Sequence, residues 1–103
     1  MREPVQSLHV VPRLFPAILS GVKTHTIRWR EGAIRTGPLR FVCGEDSVAV
    51  EVTRVTDSLL RDAAALVGMA AEWPDDVMLT GMREHYPAIT LNDIVQVVEF
   101  HRV

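Results

Sequence analysis

The chain carries one cysteine, Cys43, so it has no internal disulfide. That argues against a small disulfide-stapled secreted scaffold and makes a reducing cytoplasm the expected compartment. Long hydrophobic runs are also missing. No apolar stretch approaches the roughly 18 residues that a membrane-spanning helix needs. The opening Met1-Arg2-Glu3-Pro4 lacks the apolar segment of a secretory leader. A large net charge is absent too. At −2, with a pI near 6.0, the chain does not suit broad coating by nucleic acid. His9, His25, His85 and His101 are scattered, with no H-x-x-x-H pair, so no metal site and no cofactor are expected. Gly32 and Gly37 do not form a phosphate-loop pattern. Ser20-Gly21 and Gly44 lack the setting of a nucleophile elbow. There are no internal repeats and no low-complexity segments.

What is present is a chain of 103 residues, 48% apolar and 23% charged. That composition predicts one globular domain over residues 1–103 with a modest core. The charges are segregated. Arg13, Lys23, Arg28, Arg30, Arg35 and Arg40 face only Glu31, a local net charge of +5. From Glu45 to Glu99, eleven acidic residues meet Arg54, Arg61 and Arg83, a net −8. A basic region on an acidic body suits one anionic ligand or a short stretch of RNA. It does not suit long tracking along a duplex.

The basic region centres on Gly21-Val22-Lys23-Thr24-His25-Thr26-Ile27-Arg28-Trp29-Arg30. At period two, Thr24, Thr26, Arg28 and Arg30 share one face and His25, Ile27 and Trp29 the other. Trp29 is expected in the core. Lys23 stands at the mouth of the strand. An ammonium, two hydroxyls and two guanidinium groups, with no carboxylate among them, suit a ligand that is anionic or bears a carbonyl. Equally, any half-exposed strand has one polar face.

The rest of the chain supplies a frame. Leu8–Val11 reads as a strand stopped by Pro12. Arg13 to Ser20 reads as a short helix with Pro16 in its first turn, the i,i+4 pairs Leu14/Ile18 and Phe15/Leu19, and Gly21 as a left-handed cap. Residues 31–38 form a loop punctuated by Gly37-Pro38. Leu39–Cys43 is a strand, in which Cys43 reads as a buried structural thiol. After the turn Gly44-Glu45-Asp46, Ser47–Val55 is a strand with Val48, Val50 and Val52 on one face. Thr56-Asp57-Ser58 reads as a helix N-cap cluster before a helix over Leu59–Val67, stopped by Gly68. Trp73-Pro74-Asp75-Asp76 starts another helix, whose Met78, Leu79, Met82 and Tyr86 form a core stripe ended by Pro87. Ile94–Phe100 is apolar enough to be a strand covered on both faces. The predicted order is β-α-β-β-β-α-α-β. It gives an α+β fold, a small barrel with short helices packed on its openings.

Two chemistries remain open for Lys23. A desolvated, neutral amine could take a proton from Thr26, which could attack a carbonyl. Glu72 is the candidate third carboxylate and Asp75 the runner-up. Alternatively, Lys23 is a solvated turn lysine that binds phosphate as a point charge.

The stretch Leu19-Ser20-Gly21-Val22-Lys23-Thr24-His25-Thr26-Ile27-Arg28 resembles the signature of the ASCH domain, G-x-K-x-x-T/E-x-R. The order of elements around it is similar over nearly the whole chain. Among them are the Thr36-Gly37 loop, the strand ending in Val52-Thr53-Arg54-Val55, and the late helix ending in Tyr86-Pro87. The resemblance implies a PUA-like β-barrel with a cleft suited to RNA or a modified nucleoside. Some small members are amidohydrolases that deacetylate N4-acetylcytidine with a lysine, a threonine and a glutamate. The lysine and threonine map to Lys23 and Thr26, and the signature arginine to Arg28. The family often has a glutamate just after the first late helix. Here that spot reads Val67-Gly68, and Glu72 is the glutamate that a shifted loop would present. The expectation is therefore a cytoplasmic binder of RNA or a modified nucleoside. Thr24, Arg28 and Arg30 would be the ligand-binding side chains. The alternative is an amidohydrolase using Lys23, Thr26 and Glu72.

Overall fold

The computed structural model describes residues 5–103, and the reading made of Met1–Pro4 lies outside them. The elements in order are β1 (Gln6–His9), α1 (Phe15–Leu19), β2 (His25–Arg28), β3 (Gly37–Cys43), β4 (Asp46–Leu59), α2 (Leu60–Leu66), α3 (Asp75–Arg83) and β5 (Ile94–Arg102). This is the β-α-β-β-β-α-α-β order that periodicity predicts, and the fold is α+β. The strands form one five-stranded sheet in the order β1-β3-β4-β5-β2. The chain divides into two compact units, each with its own core. The first gathers the residues up to Thr26 with Ala33–Val55 and Val98–Val103, and the second holds Ile27–Gly32 and Thr56–Val97.

In the first unit β1 runs parallel to β3, with Leu8 opposite Phe41. β3 and β4 form an antiparallel hairpin in which Cys43 faces Asp46 across Gly44-Glu45. Gly44 takes a left-handed φ of 61°, which a residue without Cβ adopts at little cost. Alternation sends Leu39 and Phe41 inward with Val48, Val50 and Val52, as the valine pattern predicts. Phe41 and Phe100 pack at a tilt with centroids 4.9 Å apart. Ile18 and Phe15 of α1 join them, whereas Leu19 is exposed, so only part of the expected helical pairing is buried. Cys43 is half-buried and packs against this core. The Gly37-Pro38 pair begins β3 rather than closing the loop, with Pro38 opposite Glu51. Proline is tolerated near a strand's start, where a missing N–H costs least. Within the loop, Ile34 is buried, and Gln6 holds Arg35 from both sides of its side-chain amide.

In the second unit the Thr56-Asp57-Ser58 cluster does not cap a helix. β4 continues through it to Leu59. The first N–H groups of α2 find other acceptors. Leu60 donates to the Asp93 carbonyl at 2.9 Å and Arg61 to that of Leu91 at 3.1 Å. A backbone loop thus satisfies donors that a side-chain cap would have taken. Gly68, at φ 72°, ends the helix as expected, and Met69 N–H reaches back to Ala64. α3 starts after Pro74 with Asp75 and Asp76 in its first turn. Met78, Leu79, Met82 and Tyr86 pack on one core with Trp29, Leu60, Ile89, Val95 and Val97. Fully burying side chains such as Leu60 and Ile89 contributes about 1.5–3 kcal/mol each. On β5 the neighbours Val97 and Val98 are both buried, as a strand covered on both faces requires.

Candidate functional site

The approach to Lys23 is built by α1. After Leu19 the chain turns through Gly21, at φ 82°. Ser20 N–H bonds Pro16 at 3.0 Å, Gly21 N–H bonds Ile18 at 3.1 Å, and Lys23 N–H bonds Ala17 at 3.0 Å. The backbone is thus tied on both sides of the turn, and Lys23 enters half-buried at a fixed position. Thr24 is exposed, and its carbonyl accepts the Phe100 N–H at 2.9 Å. Thr26 is buried, with 7% of its surface exposed.

Between them stands His25. Burial lowers its imidazole pKa below the ordinary 6.5, the Lys23 ammonium lowers it further, and the Glu99 carboxylate opposes both. Glu99 also accepts a hydrogen bond from Arg54 Nε at 2.5 Å. The first unit therefore brings Lys23, His25 and Glu99 within electrostatic reach of one another. The sequence alone gave His25 no role.

β2 ends at Arg28, so the period-two face predicted to run from Thr24 to Arg30 stops short. Trp29 is buried, as expected, but the predicted alternation fails within β2, where Thr26 of the supposed open face is buried and Ile27 only half-buried. Arg30 lies past the strand in a left-handed φ of 56°, a region that few residues with a Cβ occupy. Its side chain turns back across Trp29, with the guanidinium carbon 4.2 Å from the ring centre. Arg28 pairs with Glu31 at 3.3 Å. The carboxylate missing from the basic stretch stands just beyond it.

Glu31 has a second partner. The Tyr86 hydroxyl donates a hydrogen bond to its Oε2. Tyr86 in turn meets Trp29 edge-on, with centroids 6.0 Å apart and planes at 88°. Burial and the hydrogen bond to Glu31 push the Tyr86 phenol up to about 12. Gln96 Nε2 donates to the Gly32 carbonyl at 2.6 Å and holds the next residue of the bend. This cluster of Arg28, Trp29, Arg30, Glu31 and Tyr86 lies wholly in the second unit. Arg28 and Glu31 are three apart in sequence, a spacing that a turn can close. Tyr86 is 55 residues from Glu31, and no local pattern announces that contact.

Lys23, Thr24 and Thr26 belong to the first unit, and Arg28, Arg30 and Glu72 to the second. Glu72 is exposed in the turn after α2, where its N–H bonds Met69 at 3.1 Å. Asp75 is exposed in the first turn of α3. A shallow hollow in the second unit is lined by Thr56, Asp57, Ser58, Asp62, Ala65 and Leu66, none of them a predicted site residue. Among the described residues no group of three or more His, Cys, Asp or Glu is placed to hold a metal ion. No helix among them is long and apolar enough to cross a membrane. Comparison with family models, with curated proteins and with solved structures finds no match to this chain.

Proposed function

We propose that this chain is an ASCH-like domain with a PUA-like sheet, and that its Lys23–Arg30 segment binds RNA or a modified nucleoside. The reading rests on the signature-like stretch and on a matching order of elements. The observation that carries it is the setting of Lys23. The backbone that carries this half-buried residue is tied in place before any ligand arrives, which lowers the ordering cost of binding. The stretch of sequence that contains it, Arg13 to Arg40, carries a net +5, a charge of the sign that a phosphate ligand needs.

Binding is favoured over hydrolysis by the burial of Thr26. A nucleophilic hydroxyl must reach a carbonyl carbon, and 7% exposure leaves little approach. The amidohydrolase alternative, with Lys23 as base, Thr26 as nucleophile and Glu72 as third member, is tested alongside. Titration with a fluorescein-labelled single-stranded RNA should give saturable binding that Lys23→Ala weakens about tenfold. Incubation with N4-acetylcytidine should release no cytidine. Turnover lost in both Lys23→Ala and Thr26→Ala would instead establish the hydrolase.

A further inference from the structure

The two arginines of the basic stretch are not equivalent. Arg28 has only 12% of its side chain exposed, and its charge is balanced by Glu31. Arg30 is exposed. Among the described residues no carboxylate pairs with it, and its guanidinium lies over the Trp29 ring. That ring is itself held. Trp29 is 9% exposed, Tyr86 abuts it edge-on, and the Tyr86 hydroxyl is tied to the Glu31 that also holds Arg28. The bend is further fixed by Gln96 on the Gly32 carbonyl. Arg30 sits in this bend at φ 56°, a conformation seldom used without a glycine.

A guanidinium is a plane with two faces. When one face lies on an aromatic ring, the other is desolvated cheaply and has its rotamer already chosen. Such a surface accepts the π-face of an unpaired base, while the N–H edge can donate to a phosphate. A lysine in the same place would offer the charge without the plane.

We infer that Arg30, backed by Trp29, is a stacking platform for one unpaired nucleobase, with Arg28, Glu31 and Tyr86 as the clamp that keeps the tryptophan in place. The inference rests on the nucleic-acid reading above and adds to it the ligand's binding mode. The occupant is a single-stranded nucleotide, base on the guanidinium face and phosphate at its edge. Duplex nucleic acid, whose bases are already stacked, would gain nothing from it.

The test compares wild type, Arg30→Lys and Arg30→Ala, using a single-stranded RNA oligonucleotide and a matched abasic ribose-phosphate strand over a series of salt concentrations. Arg30→Lys should weaken binding of the RNA about tenfold, nearly as much as Arg30→Ala. It should leave the salt slope unchanged, because the charge is kept, while Arg30→Ala lowers the slope by about 0.7. The abasic strand should bind Arg30→Lys as well as wild type. Should Arg30→Lys bind RNA like wild type while Arg30→Ala falls, Arg30 is a point charge and the platform is overturned, though the binding reading survives. Should wild type bind neither strand, the binding reading falls and the platform with it. Arg30 is exposed, so both variants should fold. A circular dichroism melt matching wild type confirms that binding losses are local.

Discussion

Tyr86 donates its hydroxyl hydrogen bond to the same Glu31 carboxylate that pairs with Arg28. One carboxylate thereby joins Tyr86, which lies beyond the end of α3 at Arg83 rather than within the helix as its stripe predicts, to the bend after β2. Tyr86 is the chain's single tyrosine, so its ionisation can be read directly by ultraviolet absorbance. The phenol's pKa is raised to about 12 by burial first and the Glu31 contact second. A phenolate band appearing with its midpoint near 12 is expected, and Glu31→Gln should move that midpoint down. A wild-type midpoint at the free value of 10 in folded protein would refute the contact.

The same shift has a stability consequence. The folded pKa lies above the unfolded one, so the proton is held more tightly in the folded state. The stabilisation is complete below pH 10 and is lost as pH rises through about 12. Tyr86→Phe should cost about 1 kcal/mol at neutral pH through the lost hydrogen bond. It should also flatten the alkaline fall in stability. Urea melts at a series of pH values would show whether the wild-type slope disappears in the variant.

His25 predicts the opposite direction. Its folded pKa is depressed, chiefly by burial and then by Lys23. Stability from this group is present above pH 6.5 and lost as pH falls through the depressed value. Lys23→Met removes one of the two depressing causes. The imidazole should then titrate higher by NMR, while burial still keeps it below the free value. No movement of the His25 signal would mean that the ammonium lies too far away to act.

Glycine substitutions separate two backbone roles. Gly81 lies inside α3, and nothing stands within 4 Å of where a Cβ would sit. Gly81→Ala should stabilise the protein by about 1 kcal/mol, because alanine loses less backbone entropy in a helix. Gly21 is equally open but takes φ 82°. Gly21→Ala should destabilise by about 1 kcal/mol and loosen the approach to Lys23. Denaturant midpoints of the two variants should therefore move in opposite senses.

Phe41 is fully buried and packs on Phe100. Phe41→Ala should cost about 3–5 kcal/mol. A loss under 1 kcal/mol in a chemical denaturation curve would contradict the packing described for the first core.

The candidate site was legible in part. Gly21 as the end of α1 follows from glycine's tolerance of positive φ, and the exit toward Lys23 follows with it. Trp29's burial was expected, but strand parity does not explain it, because β2 ends at Arg28 and Thr26, of the opposite parity, is buried too. The reach of that parity was not legible, because a strand's end depends on the partner it pairs with. The Thr56-Asp57-Ser58 cluster before α2 reads as a cap because Thr, Asp and Ser compete well for helix donors. They lost to the carbonyls of Leu91 and Asp93, which lie about 30 residues further along the chain.

From sequence alone came the order of eight elements, the two amphipathic helices near the end, the valine face of β4 and the basic stretch. Each is a local matter, set by side-chain period, glycine and proline within a few residues. Tertiary structure alone decided that Glu31 balances Arg28, that Tyr86 holds Glu31, and that Arg30 leaves its strand to lie on Trp29. Those contacts join residues brought together only when the core closes, and the energy of each depends on burial that no stretch of sequence carries by itself.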